Sequence, residues 1–168
     1  MRAPLSRSVI LRLGLFGALF LGGTAAHFFT RPLVGPFINV VLNARPAAQV
    51  IDLLLPSEGV RATGSRVGSA NTWVQVAQGC EGVDVMLMVV AALLAFPMAA
   101  RRKALGVALA VLLIYALNVS RIVGLWFCLR HWPASFDSMH LVVGQTALII
   151  AGVGFFAAWS GVLRGARA

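Results

Sequence analysis

The sequence predicts an all-α polytopic membrane protein with about four transmembrane helices. A small outer-face segment, an amphipathic helix plus a short β-hairpin, is expected between the first two spans. Three observations carry this. Of 168 residues, 60% are hydrophobic and 11% are charged, a balance unlike that of soluble domains. Four apolar runs approach or exceed the roughly 20 residues that a spanning helix needs. The basic residues gather between those runs rather than along one stripe. The net charge of +9 is therefore a topology signal, and no nucleic acid is expected as a partner. No zinc-ligand spacing, glycine-rich phosphate loop or internal repeat is present, so no metal or cofactor is expected. Two cysteines, Cys80 and Cys128, are too few for a disulfide framework.

The chain is expected to form a single integral membrane domain over residues 1–168. The first span covers 8–29, preceded by Arg2 and Arg7. It has the outline of a signal peptide but no convincing small-residue cleavage site, so a retained helix is expected. The remaining spans are 82–98, 104–127 and 139–160. Arg2, Arg7 and Arg12, then Arg101, Arg102 and Lys103, then Arg164 and Arg167 fall on one side of such a bundle. That side should be the cytoplasm, with both termini in it. Segments 30–80 and 128–138 then face outward. Arg31, Arg45, Arg61 and Arg66 lie in the long translocated segment, where the charge rule counts least.

Within 30–80, residues 37–55 carry apolar positions at helical spacing, with Pro46 expected to break or kink the pattern. One amphipathic helix or two short ones should lie on the membrane surface. "GVRATGSRV" and "TWVQVA" read as two strands, with Gly68, Ser69, Ala70 and Asn71 supplying the turn. This hairpin delivers the chain to Cys80.

Four-span topology places Cys80 at the outer end of the second span, Arg121 near the outer end of the third and His140 at the outer start of the fourth. None of these side chains entered the topology argument, so their coincidence at one depth is informative. A cysteine becomes a strong nucleophile where a neighbouring cation favours its thiolate. Histidine takes and returns a proton near neutral pH. Arginine holds a developing oxyanion or a carboxylate. A charge within a membrane helix is unfavourable by a few kcal/mol, so Arg121 needs a partner. Asn118 lies one turn earlier on the same face. Asp84, one turn after Cys80, is placed to pair with Arg121 or orient His140.

These residues resemble the exosortase/archaeosortase family of membrane transpeptidases. "CEG" at 80–82 heads a span, "NVSRI" at 118–122 closes the next and "HLVVG" at 140–144 opens the last. The resemblance covers roughly 60–160, and the short chain is similar to the compact exosortases, such as the type called exosortase H. It implies that Cys80 is the nucleophile, Arg121 the transition-state stabiliser and His140 the acid/base. The implied partners are proteins with C-terminal sorting tails, each a short signature, a membrane helix and a basic end, together with an amine acceptor of unknown identity. The implied location is the bacterial plasma (inner) membrane, with the site at its outer, periplasmic face. Glu81 departs from the family pattern, in which a small polar residue is common.

Plainer roles exist for each residue. A lone cysteine in a membrane helix is usually an inert small hydrophobe. Arg121 could snorkel to the interface, and His140 could cap a helix there. Glu81 is expected to face water. His27, His131 and Cys128 are expected to be structural, and Trp126, Trp132 and Trp159 to form an interfacial belt. Two other functions follow from the same residues: a thiol oxidoreductase using Cys80 and Cys128, or a non-catalytic subunit or small transporter held by a buried Asp84–Arg121 pair. Glycines 14, 17, 106, 124, 144, 152 and 154 lie in spans, and Gly144 is expected to pack against the second or third.

Overall fold

The structure, a computed structural model, describes residues 6–70, 72–77 and 79–161. Arg2, Arg164, Arg167 and the turn residue Asn71 lie outside the described residues. The helix α1, Arg7–Pro36, runs into a π-helical stretch, Phe37–Ala44, and on into α2, Arg45–Leu54. The break expected at Pro46 is instead a change of helical register. Pro46 falls in the first turn of α2, where a missing N–H is tolerated.

The apolar face of this region is Ala44, Ala47, Ala48 and Ile51, at the spacing of one helical face, and all four are buried. They pack against the sheet and the neighbouring helix. Leu53 and Leu54, on the other side, remain exposed.

The expected hairpin is a three-stranded antiparallel meander: β1 Arg61–Thr63, β2 Arg66–Ser69 and β3 Thr72–Gln75. Gly64 adopts φ +58°, which turns the chain inside what reads as one long strand. Gly68 and Ser69, expected in the turn, belong to β2, paired with Trp73 and Thr72. A Cβ at Gly68 would strike the backbone of Thr72 and Trp73, so only glycine allows β3 to come this close. Val67 and Val74 pair directly and both point inward.

The second expected span is the apolar helix α3, Val83–Ala95, of 13 residues. It stops there because Phe96 precedes Pro97, which disfavours helical geometry; Phe96 is extended at φ −76°, ψ 142°. Lys103 Nζ donates to the Leu94 carbonyl at 2.6 Å, satisfying one of the open acceptors at its end. Helix α4 then runs Ala100–His131. A single turn α5, Phe136–Ser138, and a π-helical turn, Met139–Val143, lead into α6, Gly144–Ser160. Among the described residues, three helical stretches are long and apolar enough to cross a membrane: Arg7–Leu54, Ala100–His131 and Pro133–Ser160.

Two cores result. One joins α2, the sheet, Cys80 and the far half of α4. The other joins Val85, Val89 and Leu93 of α3 to Ala110 and Ile114 of α4 and Leu148 of α6. Trp126, expected in an interfacial belt, is fully buried at 0% exposure in the first core. Its Nε1 donates to the Thr72 carbonyl at 3.3 Å. Burial of a tryptophan needs such a partner, and the sheet supplies it. Trp132 is exposed. Trp159 exchanges hydrogen bonds with Arg102, tying α6 to the start of α4.

The glycines divide. A Cβ at Gly144 would sit 2.7 Å from Arg121 Nε, so α6 packs closely on α4 there, as expected. A Cβ at Gly152 would sit 2.7 Å from Val89, and one at Gly106 would meet the Trp159 ring. Gly14, Gly17, Gly124 and Gly154 face open space and serve no such contact.

Candidate active site

The boundary between the two cores is where Cys80 sits. Gly79 and Gly82 both adopt positive φ, +82° and +76°, so the Cys80 loop turns tightly into α3. Asn118 explains why glycine is needed at 82. A Cβ there would lie 3.0 Å from Asn118 Cγ in an already left-handed conformation. Asn118 is buried and spends both amide protons: one on the Cys80 carbonyl at 2.9 Å, the other on Asn43 Oδ1 at 2.9 Å. Asn43 in turn donates to the Ile38 carbonyl within the π-helical stretch. A chain of amides thus fixes the loop that carries the thiol.

Cys80 Sγ lies 2.9 Å from His140 Nε2, across 60 residues of sequence. His140 stands in the π-helical turn before α6, its ring tilted against Phe136 at 5.6 Å. Arg121 Nη2 donates to the His140 carbonyl at 3.1 Å. Its Nε and Nη1 are buried and have no hydrogen-bond partner among the described residues. Two charge-assisted donors are left unused beside the thiol–imidazole pair. The structure therefore gathers Cys80, Asn118, Arg121 and His140 into one locus.

Asp84 is not part of that locus. It lies in the first turn of α3, where a negative charge suits the helix dipole, and it is exposed. Among the described residues it forms no ion pair, and neither the pairing with Arg121 nor the orientation of His140 expected from sequence is present. Asp137 precedes His140 by one turn on the same helical stretch.

Glu81 is the second correction. Its side chain is 3% exposed rather than facing water. Arg31 Nη2 reaches both carboxylate oxygens, at 3.2 and 3.4 Å. His27 Nε2 stands 3.6 Å away, near enough for charge but too far for a hydrogen bond. Glu81 is buried because α1 brings it a cation. Asn43, Arg31 and Glu81 were missed as site neighbours. The only sequence signal was that three polar residues sit in or beside apolar stretches without another purpose.

Among the described residues, no cluster of His, Cys, Asp or Glu is arranged to hold a metal. Cys80 and Cys128 are both free and buried. The Cys128 thiol points to the Trp132 carbonyl at 3.7 Å, at the end of its own helix.

The fold and locus define a helical membrane protein with a thiol, an imidazole and a guanidinium at one end of its bundle. The chain belongs to the transmembrane exosortase family, whose model, Transmembrane exosortase (Exosortase_EpsH), matches residues 47–159. No curated protein and no solved structure matches it. The matched span includes α2 from Ala47 onward, the sheet, Cys80, Asn118, Arg121 and His140. It leaves out His27, Arg31 and Asn43, which brace the site from the N-terminal side.

Proposed function

We propose that this chain is a membrane-embedded cysteine transpeptidase or protease. It cleaves the C-terminal sorting tail of exported proteins at the outer face of the bacterial inner membrane, with both termini cytoplasmic. The observation that carries this is the 2.9 Å approach of Cys80 Sγ to His140 Nε2. Such a contact between a thiol and a ring nitrogen is what nucleophilic catalysis by cysteine requires.

His140 Nε2 takes the thiol proton as Cys80 Sγ attacks the scissile carbonyl. The carbonyl oxygen gains the negative charge. Arg121 Nη2 is engaged with the His140 carbonyl, which leaves Nε and Nη1 to receive that oxyanion. Collapse of the tetrahedral intermediate breaks the C–N bond, and His140 returns its proton to the departing amine. The product is a thioester on Cys80. An incoming amine or water, deprotonated by His140, displaces the thiol and completes transfer or hydrolysis. Asn118 and Asn43 position the loop and touch no reacting atom.

The other two functions find less support. An oxidoreductase would need Cys80 and Cys128 to exchange, yet Cys128 is engaged at its own helix end. The buried Asp84–Arg121 pair of a non-catalytic bundle is not formed.

The experiment measures iodoacetamide alkylation of Cys80 in the detergent-solubilised full chain, followed by mass. His140→Ala should slow it, with a loss of proton transfer on the order of 10²–10⁴ in turnover where a substrate is available. Arg121→Lys should leave alkylation fast but abolish turnover, because a point ammonium does not reproduce the planar fork. Cys80→Ala should remove both signals in a protein that still inserts. An equal alkylation rate in wild type and His140→Ala would refute the nucleophile.

A further inference from the structure

We propose that the end of the bundle opposite Cys80 holds an anionic phospholipid, seated in the cleft between the start of α4 and the end of α6. The inference is independent of the catalytic reading. The cleft has a volume of about 560 Å³, and Arg101, Arg102, Leu105 and Trp159 line it. Arg101 and Arg121 are 20 residues apart on α4, or about 30 Å at roughly 1.5 Å per residue. The cleft is therefore remote from the thiol–imidazole pair.

Charge is the first argument. The chain has five acidic side chains in all: Asp52, Glu58, Glu81, Asp84 and Asp137. Glu58 pairs with Arg130 at the far end of α4, and Glu81 pairs with Arg31. Asp84 heads α3 just after Cys80, and Asp137 precedes His140. Asp52 sits in α2, whose buried face packs on the far half of α4. None stands where α4 begins. There Arg101, Arg102 and Lys103 follow one another in the first turn, and Arg12 lines a second cleft with Phe96 and Phe156. Cations in a first turn oppose the helix dipole, so they do not serve the helix itself. The matching anion has to come from outside the chain.

The second argument is that the cleft is built. Arg102 Nη2 donates to the Trp159 carbonyl at 2.6 Å, and Trp159 Nε1 donates to the Arg102 carbonyl at 3.2 Å. The same guanidinium stands 5.9 Å from the centre of the indole ring. Gly106 makes room for that ring, since a Cβ there would strike Trp159 Nε1. One arginine is thus held in place with Nη2 spent and Nε and Nη1 left for an anion. A topology signal needs only a count of cations and no such seat. The third argument selects the occupant. Arg101 heads a stripe of exposed leucines on one face of α4: Leu105, Leu109 and Leu112. Arginine followed by leucine along one face matches a phosphate joined to an acyl chain. A free phosphate would use the arginines alone, and a basic peptide would be repelled. Basic clefts between membrane helices suit anionic head groups. The occupant is therefore a phospholipid of net negative charge, its phosphate against Arg101 and Arg102 and a chain along α4.

The test is native mass spectrometry of the detergent-solubilised full chain, titrated with phosphatidylglycerol or with phosphatidylcholine. The dissociation constant of the first bound lipid is read for each. Wild type should bind phosphatidylglycerol about tenfold more tightly or better. Arg101→Gln should weaken phosphatidylglycerol about fivefold, the share of one arginine, and leave phosphatidylcholine unchanged. Arg101 is exposed, so this variant should keep its fold, which thermal unfolding in detergent checks. Arg102→Gln should weaken phosphatidylglycerol further, because it also releases Trp159. Arg7→Gln removes an exposed cation outside the cleft, five residues before Arg12, and should keep wild-type binding. An excess of inorganic phosphate should not displace the lipid. Equal affinity of wild type for the two lipids overturns the proposal. An equal fall in Arg7→Gln and Arg101→Gln would show diffuse attraction without a site and also overturn it. Displacement by inorganic phosphate would assign the cleft to a soluble anion, which overturns the lipid as occupant.

Discussion

Helices α1 and α4 have nearly the same length, 30 and 32 residues, and both are apolar enough to span a membrane. One is nearly bare. Gly35 is the single buried residue of α1, whereas α4 buries ten, from Gly106 to Cys128. Composition does not separate them. What does is the placement of polar groups. Asn118 and Arg121 interrupt the apolar run of α4, and its buried face follows them. Helix α1 stays apolar through its middle and carries His27 and Arg31 near one end, which is where it is fastened to Glu81. In lipid, apolar surface gives a helix no reason to pack against protein, so polar residues mark the protein-facing side.

That contrast can be broken in three places. The largest effect should come from α4. Trp126→Ala empties the first core and strands the Thr72 carbonyl, so a loss of about 3–5 kcal/mol is expected, read as thermal unfolding in detergent. A loss below 1 kcal/mol would mean that α4 is not the spine of that core. Next is the fastening of α1. Arg31→Met leaves the Glu81 carboxylate buried without its main cation, an expected loss of about 3 kcal/mol. The double variant Arg31→Met with Glu81→Gln should recover most of it, since removing both charges is far milder than removing one. If the double variant is no better than the single, the pair is not what holds Glu81 inside. The smallest effect belongs to the bare face. Phe29 is 78% exposed, and Phe29→Ala should change stability by less than about 0.5 kcal/mol in a detergent micelle. A larger change would reveal a partner on α1.

The parts that could be read from sequence were those set by local chemistry. Apolar runs gave the helices, and the depth of Cys80, Arg121 and His140 followed from counting along them. Even the end of α3 at Ala95 follows from Pro97, although the apolar run continues to 98. The misreadings involve partners far apart in the chain. Glu81 looks water-facing until Arg31, 50 residues earlier, arrives beside it. Trp126 looks like an interfacial tryptophan because nothing local announces that a sheet from residues 61–75 will cover it. Asn43 looks like the polar face of an amphipathic helix, yet it is the far end of the amide chain that holds the Cys80 carbonyl. The spacing of Asp84 from Cys80 points it toward the site, but the α3 dipole and solvent compete for it and win. "GVRATGSRV" reads as one strand, and the turn at Gly64 converts the expected hairpin into a meander.

Under the proposed function, the brevity of α3 bears on how deep Cys80 sits. Thirteen helical residues rise about 20 Å, against roughly 30 Å of hydrocarbon in an ordinary bilayer. The extended residues Phe96–Ala99 cannot make up the difference in contact with lipid, because their backbone groups would go unmatched there. For α3 to serve as the second span of the proposed topology, the membrane beside it would thin, drawing headgroups and water inward. Hydrophobic mismatch thereby becomes part of the machinery. In the proposed reaction it would bring the water or amine that resolves the thioester below the level where an undisturbed leaflet admits it. It would also make bilayer thickness, a property of lipid composition, a variable on which the proposed turnover depends.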